Sequence, residues 1–126
     1  MVVDTSAILA IYFNELHGPW PAEQLQTHAG QLRMSTVNLT EALIRIRDHQ
    51  PARADELQDL LLNSEIRFIP PDERQAKIAA DARLRFPINL GDCFAYALAR
   101  VEGCSILAID QDFRAVDVPL VLPAKP

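Results

Sequence analysis

Residues 92–110 read DCFAYALARVEGCSILAID, and this stretch contains the pattern that decides the fold. Residues 92–101 predict a helix, which Gly103 would end because glycine is the usual residue just beyond a helix C-terminus. The continuous apolar run at residues 105–109 predicts a strand that is buried on both faces. Acidic residues stand at the two ends of the stretch, Asp92 where the helix starts and Asp110 after the strand. A helix that leads directly into a buried strand is typical of parallel α/β proteins.

The same alternation of strands and helices runs through the rest of the chain. Short apolar runs predict further strands over residues 1–4, 32–35, 66–69 and 118–122. Apolar residues at helical spacing predict helices over residues 6–13, 22–28, 39–49, 51–62 and 72–86. We therefore expect one domain, residues 1–126, with three α/β/α layers around a mainly parallel central sheet of four or five strands.

The composition indicates a domain with its own core and no basic tail. Of the 126 residues 49% are hydrophobic, and 17 Asp and Glu against 12 Lys and Arg give a net charge of -5. A nucleic-acid ligand is therefore not indicated by the overall charge, unless several acids bind a cation. No signal peptide or membrane-spanning run is recognisable, so we expect a cytoplasmic protein without membrane association. Cys93 and Cys104 are too few for a disulfide framework and are expected to be buried thiols.

Four acids fall near the ends of predicted strands and helices. Asp4 directly follows the first strand, and Asp110 follows the last long one. Glu41 lies in the first turn of the helix after the second strand, and Asp92 opens the helix that leads into the apolar run. Ligands of parallel sheets gather beyond the carboxyl ends of the strands, so the four acids could converge on one cleft.

Each of these acids also has a purely structural interpretation. Asp4 and Asp92 could be helix N-caps, and Glu41 could close a capping box with Asn38. Asp110 could belong to an ordinary turn with the residues that follow it. The functional interpretation rests on the four acids taken together.

The segments that contain these acids resemble the PIN-domain ribonucleases, and among them the VapC toxins of bacterial toxin–antitoxin pairs. Residues 2–9, VVDTSAIL, are similar to the family's first strand, first acid and apolar helix, and residues 39–43, LTEAL, match its second acid. Residues 89–99, NLGDCFAYALA, are the most specific, because Gly-Asp followed by small and aromatic residues is highly typical of the family. Residues 106–113, ILAIDQDF, resemble the closing strand and fourth acid. In one departure, Ala108 stands where the family often has Thr or Ser, so a hydroxyl near Asp110 is missing.

The resemblance implies a PIN-like domain that cleaves RNA phosphodiester bonds as a metal-dependent endoribonuclease. We expect Asp4 and Asp92 to be direct metal ligands, and Glu41 and Asp110 to be ligands or groups that hold metal-bound water. Hydrogen bonds from two hydroxyl residues could support the site, and these residues are Thr5 and Ser6.

The residue types in this set favour Mg²⁺ or Mn²⁺ as the cofactor. Carboxylates without histidine or cysteine suit these hard ions better than Zn²⁺. The three histidines show no ligand spacing, and they are His17, His28 and His49. Arginines at the rim could contact RNA phosphates or belong to solvated helix faces, and the candidates are Arg45, Arg47, Arg83, Arg85 and Arg114.

The resemblance further implies three partners: an RNA substrate, a cognate VapB-like antitoxin and a second copy in a homodimer. A partner helix would fit a groove between the early helices, whose apolar residues include Ile11, Tyr12, Phe13, Trp20, Leu57, Leu60 and Leu61. The alternative is a non-catalytic PIN-like module in which the acids only cap helices and the apolar helices recruit a protein. Two other enzyme classes fit the sequence poorly. An aspartyl phosphatase would need a second acid at the position of Ser6, and a dinucleotide-binding enzyme would need a glycine-rich turn after the first strand, where this chain has none.

Overall fold

The structure is a computed structural model that describes residues 1–13 and 18–123. In these residues five short strands form one sheet in which all neighbours are parallel, with the order β3-β2-β1-β4-β5. The strands are β1 (Val2–Val3), β2 (Arg33–Ser35), β3 (Arg67–Ile69), β4 (Ile106–Leu107) and β5 (Leu120–Val121). The prediction of a mainly parallel sheet of four or five strands is therefore confirmed.

Six α-helices connect and cover these strands in the described part of the chain. They are α1 (Thr5–Tyr12), α2 (Trp20–Thr27), α3 (Thr36–His49), α4 (Ala54–Leu62), α5 (Glu73–Arg85) and α6 (Leu90–Glu102). Short 3₁₀ turns at Pro51–Arg53 and Gln111–Ala115 complete the connections. Within residues 1–13 and 18–123, no helix has the length and apolar character that a membrane crossing needs.

Two hydrophobic cores lie on opposite faces of the sheet. Successive strand residues point to opposite faces, so Val2 packs with α5 and α6 whereas Val3 packs with α1, α3 and α4. The same division separates Ile106 from Leu107 on β4. All four of these side chains are fully buried, as expected for strands of a parallel sheet that is covered on both sides. The predicted three-layer architecture is confirmed.

Helices α2, α3 and α6 each begin two or three residues before the predicted start. Helix α6 begins at Leu90 because Asn89 is its N-cap, so Asp92 lies inside the first turn. Helix α3 begins at Thr36, where the Ser35 side chain accepts a hydrogen bond from a backbone N–H. The capping box that Asn38 and Glu41 could have formed is therefore absent from α3, because both residues lie within the helix.

The strand order places a crevice between β1 and β4. The chain winds from β1 through β2 to β3 on one side, and then returns to the other side with β4 and β5. Helices on either side of such a reversal diverge and leave a crevice at the carboxyl ends of the two central strands. Asp4 follows β1 and Asp110 follows β4, so these two acids flank the crevice.

Candidate active site

A cleft of about 400 Å³ at this crevice is lined by all four predicted acids, which come from different segments of the chain. The two predicted supporting residues, Thr5 and Ser6, also line it. The sequence prediction therefore identified six side chains that the fold places around one cavity.

Asp4 is the most deeply buried of these acids, with 2% of its surface exposed. It is the N-cap of α1, and its Oδ2 atom accepts hydrogen bonds from the backbone N–H of Ser6 at 3.0 Å and from the Ser6 hydroxyl at 2.7 Å. Its Oδ1 atom is buried and has no hydrogen-bond partner among the described residues. Burial raises the pKa of Asp4 to about 6, with smaller contributions from the charges of Glu41 and Asp110. The helix-cap interpretation is thus correct and leaves one oxygen available.

Asp92 is held by a reciprocal capping box at the start of α6. Its backbone N–H donates to Oδ1 of Asn89 at 2.8 Å, and its own Oδ2 accepts from the Asn89 backbone N–H at 3.2 Å. Burial raises the pKa of Asp92 to about 7, and the charge of Asp4 is the next largest cause. Asp110 and Glu41 raise this pKa further. The four acids therefore interact electrostatically, which is the expected result of like charges gathered in one cleft.

Glu41 reaches the cleft from the second turn of α3 and is held by hydrogen bonds from two elements. Its Oε1 atom accepts from the Thr5 hydroxyl at 3.1 Å and from the Asn38 side-chain amide at 3.2 Å. The carboxylate also lies where a Cβ atom on Gly91 would stand. Residues from α1, α3 and α6 therefore define its position.

Asp110 caps the 3₁₀ turn that follows β4, and its Oδ1 atom accepts from the Asp112 backbone N–H at 2.9 Å. Ser6 connects this segment to the rest of the site, because its hydroxyl accepts a hydrogen bond from the Ile109 backbone N–H at 2.9 Å. The same hydroxyl donates to Asp4, so one side chain links the ends of β1 and β4. The side chain of Ala108 is fully buried and brings no hydroxyl to this region.

The four carboxylates line one cavity, but they are not close enough together to form a ready-made metal-binding cluster. Across the described residues, no three acidic, histidine or cysteine side chains already have the spacing of a metal-binding cluster. Of the predicted non-ligand histidines, His28 and His49 lie outside the cleft lining, and His17 lies outside the described residues.

One of the five predicted rim arginines lines the cleft, and it is Arg45 on α3. Arg47 donates to the Gln58 side chain at 2.7 Å, and Arg85 pairs with Asp81 at 2.9 Å. Arg83 and Arg114 are likewise exposed outside the cleft lining. Four further residues line the cleft or bond to its acids and were not predicted as site residues: Asn38, Asn89, Leu9 and Ile44.

A second groove of about 440 Å³ lies between α1 and α4. Four of the apolar residues that line it are Ile11, Tyr12, Phe13 and Leu57, and Leu60 adds a side chain that is 55% exposed. Two other residues predicted for a docking surface have core positions, since Leu61 is fully buried and Trp20 packs partly buried against the core. Gln50 and Arg53 give the groove a polar edge.

Comparison with known proteins identifies the family. The sequence model of the PIN domain matches residues 1–119. A protein named ribonuclease VapC from Mycolicibacterium smegmatis is 34% identical, with 96% of this chain and 99% of that protein aligned. Ribonuclease VapC42 from Mycobacterium tuberculosis is 33% identical, with 94% of this chain and 96% of that protein aligned.

Solved structures agree with this assignment at the level of the fold. Mycobacterium tuberculosis VapC20, described as a sarcin-ricin loop cleaving toxin, superposes with a TM-score of 0.78 at 18% identity, covering 90% of this chain and 92% of that one. The structure of VapBC2 from Rickettsia felis bound to a DNA fragment from their promoter matches with a TM-score of 0.76 at 15% identity, covering 96% of each chain. The chain belongs to the PIN domain family and, within it, is a relative of the VapC ribonucleases.

Proposed function

We propose that this chain is an endoribonuclease of the VapC type, the toxin of a toxin–antitoxin pair, and that its active site is the carboxylate cleft. The observation that carries the proposal is the meeting of Asp4, Glu41, Asp92 and Asp110 in one cavity at the reversal of strand order. Relatives that align over nearly the whole chain are named ribonucleases, which supports RNA as the substrate. The one sheet includes both the first strand, β1, and the last, β5, so we treat residues 1–126 as a single nuclease domain. We place this domain in the cytoplasm, where RNA is present.

We further propose that the cleft takes Mg²⁺ or Mn²⁺. The donors around it are oxygens, which these ions prefer, and Mg²⁺ keeps several waters so that few protein ligands suffice. The buried Oδ1 atom of Asp4 has no hydrogen-bond partner among the described residues. Burial and, after it, the charges of neighbouring acids raise the pKa values of Asp4 and Asp92, and a cation would neutralise that negative charge. These two residues would hold the ion directly, and Glu41 and Asp110 would complete the site or hold its waters.

The chain's own residues would prepare RNA for hydrolysis in two ways, beside the chemistry of a bound cation. When bound, a divalent cation supplies neutralisation of phosphate charge and a water of lowered pKa. Arg45 at the rim can bind a phosphate oxygen, which fixes the backbone of the RNA over the acids. The Thr5 and Ser6 hydroxyls hold Glu41 and Asp4 in place, so the acids are oriented before the substrate arrives.

We also propose that the α1–α4 groove binds a helix of a VapB-like antitoxin and that the toxin forms a homodimer. The groove presents apolar side chains together with Arg53 at its edge, and an amphipathic helix is the element that fits such a surface. Structural neighbours described as VapBC assemblies support a partner of this kind.

A cleavage assay with a fluorescently labelled RNA tests the proposed activity. We expect cleavage with Mg²⁺ or Mn²⁺ and none after addition of EDTA, with Asp92→Asn as an inactive reference. A non-catalytic binding module would leave the RNA intact under every condition and would still bind its protein partner. Cleavage that persists in EDTA would contradict the metal assignment while leaving the ribonuclease assignment in place.

A further inference from the structure

Asn38 is a buried polar residue that contacts two parts of the active site. Its side chain is completely buried in the third position of α3, on the side of the helix that faces α6. The Nδ2 group donates to Oε1 of Glu41 at 3.2 Å and to the Gly91 carbonyl at 3.0 Å. Gly91 directly precedes Asp92, so the two donated bonds connect one acid to the backbone that carries another.

A neutral amide has a specific advantage at this position. It donates two hydrogen bonds without adding a charge, whereas an aspartate would add an acceptor and a negative charge against Glu41. The Thr5 hydroxyl lies 3.0 Å from the backbone carbonyl oxygen of Asn38 and 3.1 Å from Oε1 of Glu41, and its one hydrogen is shared between these two acceptors. Backbone and side chain of Asn38 therefore belong to one hydrogen-bonded unit. Burying an amide costs free energy unless its hydrogen bonds are made. The Asn38 amide makes two donated bonds, whereas its Oδ1 atom has no hydrogen-bond partner within the described residues.

We propose that Asn38 is a positioning residue that fixes the Glu41 carboxylate and the start of α6 at one separation, and thereby sets the spacing of the acids for the cation. The inference rests on the proposed function. Groups that orient metal ligands typically contribute roughly 10–100-fold to metal affinity or activity. Asn38 would act in this way through Glu41 and through the backbone beside Asp92.

The test uses Asn38→Leu, which keeps the branched skeleton of the side chain and removes the donor, and Asn38→Ala as a smaller second variant. Asn63→Ala is the matched control, because the exposed Asn63 amide also bonds a helix carbonyl, that of Asp59 at 2.8 Å, far from the cleft. Mn²⁺ binding is measured by titration calorimetry on folded protein, and RNA cleavage gives kcat and KM separately. We expect Mn²⁺ affinity and kcat to fall by roughly 10–100-fold with KM for RNA little changed, and Asn63→Ala to behave as wild type.

A double-mutant cycle separates positioning from general destabilisation. In a Glu41→Ala background, which removes the acceptor of the Asn38 amide, Asn38→Leu should weaken Mn²⁺ binding less than it does in the wild-type background, because the part of its effect that acts through Glu41 is already lost. Equal losses in the two backgrounds, or wild-type Mn²⁺ affinity in both Asn38 variants, would overturn the inference. If the wild-type protein itself neither binds Mn²⁺ nor cleaves RNA, the proposed function has failed, which is a separate result.

Discussion

The carboxylate of Glu41 occupies the space that a Cβ atom on Gly91 would need. Gly91 lies in the first turn of α6 and has no left-handed backbone conformation, so its glycine is explained by this close approach rather than by a turn. The Gly-Asp pair therefore has two parts: Gly91 makes room for the acid from α3, and Asp92 supplies the acid from α6.

Gly91→Ala is expected to reduce cleavage strongly without unfolding the protein. The added methyl group displaces the end of the Glu41 side chain, and misplacing a catalytic group by about 1 Å can cost roughly 100-fold in rate. Alanine also favours the helix by about 1 kcal/mol over glycine, which offsets part of the steric cost in stability. Circular dichroism melts and cleavage rates of the variant check both parts. Wild-type cleavage by a fully folded Gly91→Ala protein would show that the observed position of Glu41 is not needed.

Asp4→Asn and Asp92→Asn are expected to abolish RNA cleavage while the circular dichroism spectrum stays unchanged. Asparagine can still accept the hydrogen bonds that these residues receive from Ser6 and Asn89, so both helix caps should survive. Asp112→Asn is the matched control, because Asp112 is exposed and lies outside the cleft lining. Loss of activity in Asp112→Asn comparable to that in Asp92→Asn would contradict the assignment of the site.

The layers and the site residues could be predicted because strong local patterns agree with the final fold. Residues 106–108 of the apolar run are fully buried in the structure, although strand β4 is shorter than predicted, and Asp4 and Asp110 follow β1 and β4 as the pattern indicated. The carboxyl ends of parallel strands meet at one edge, so acids at these positions must come close together.

Asn38 shows what could not be predicted from the sequence. An Asn three residues before a Glu is a capping-box pattern, but the same spacing also brings the two side chains together inside a helix. Only the tertiary structure shows that Ser35 caps α3 and that Asn38 faces Gly91 of another helix. For a similar reason, the sequence could not show that Arg45 lines the cleft whereas Arg47 bonds Gln58 outside it. This difference depends on how α3 packs.

The raised pKa values of Asp4 and Asp92 predict how stability changes with pH in the absence of metal. Both pKa values lie above the ordinary 3.8, at about 6 and about 7, so the folded protein binds protons more tightly than the unfolded chain. Their contribution to the free energy of unfolding is therefore largest below about pH 4 and decreases as the pH rises towards 7. In EDTA, Asp92→Asn should melt above wild type near pH 8, with a smaller difference at about pH 5.

Magnesium should reverse this difference in melting temperature. An ion that binds only the folded protein stabilises it by about 2.7 kcal/mol at 100 times Kd, which is a shift of several degrees for a domain of this size. Asp92→Asn should gain much less, because the substitution removes a ligand together with the repulsion. Thermal melts of both proteins in EDTA and in millimolar Mg²⁺ provide the measurement. Equal Mg²⁺ shifts for the two proteins are incompatible with Asp92 as a metal ligand.

Leu60→Glu is expected to weaken antitoxin binding while RNA cleavage by the free toxin stays unchanged. Leu60 is 55% exposed and lines the α1–α4 groove, so a charge there opposes the burial of an apolar helix face. We expect a loss of at least roughly tenfold in affinity, or about 1.4 kcal/mol, measured by calorimetry with the purified antitoxin. Leu62→Glu is the control, because Leu62 is 43% exposed on the same helix and does not line the groove. Equal losses in the two variants would place the antitoxin elsewhere.

Arg45→Gln should raise KM for RNA with little change in kcat. Arg45 lines the cleft from the exposed side of α3, where it can contact a phosphate without touching the acids that hold the cation. Removing one phosphate contact weakens binding uniformly across sequences and lowers the slope of log affinity against log salt by about 1. Arg47→Gln is the matched control on the same helix, since Arg47 donates to Gln58 at 2.7 Å outside the cleft. Steady-state kinetics at several salt concentrations measure both variants, and an equal rise of KM in Arg47→Gln would indicate a general charge effect instead of a contact at the cleft.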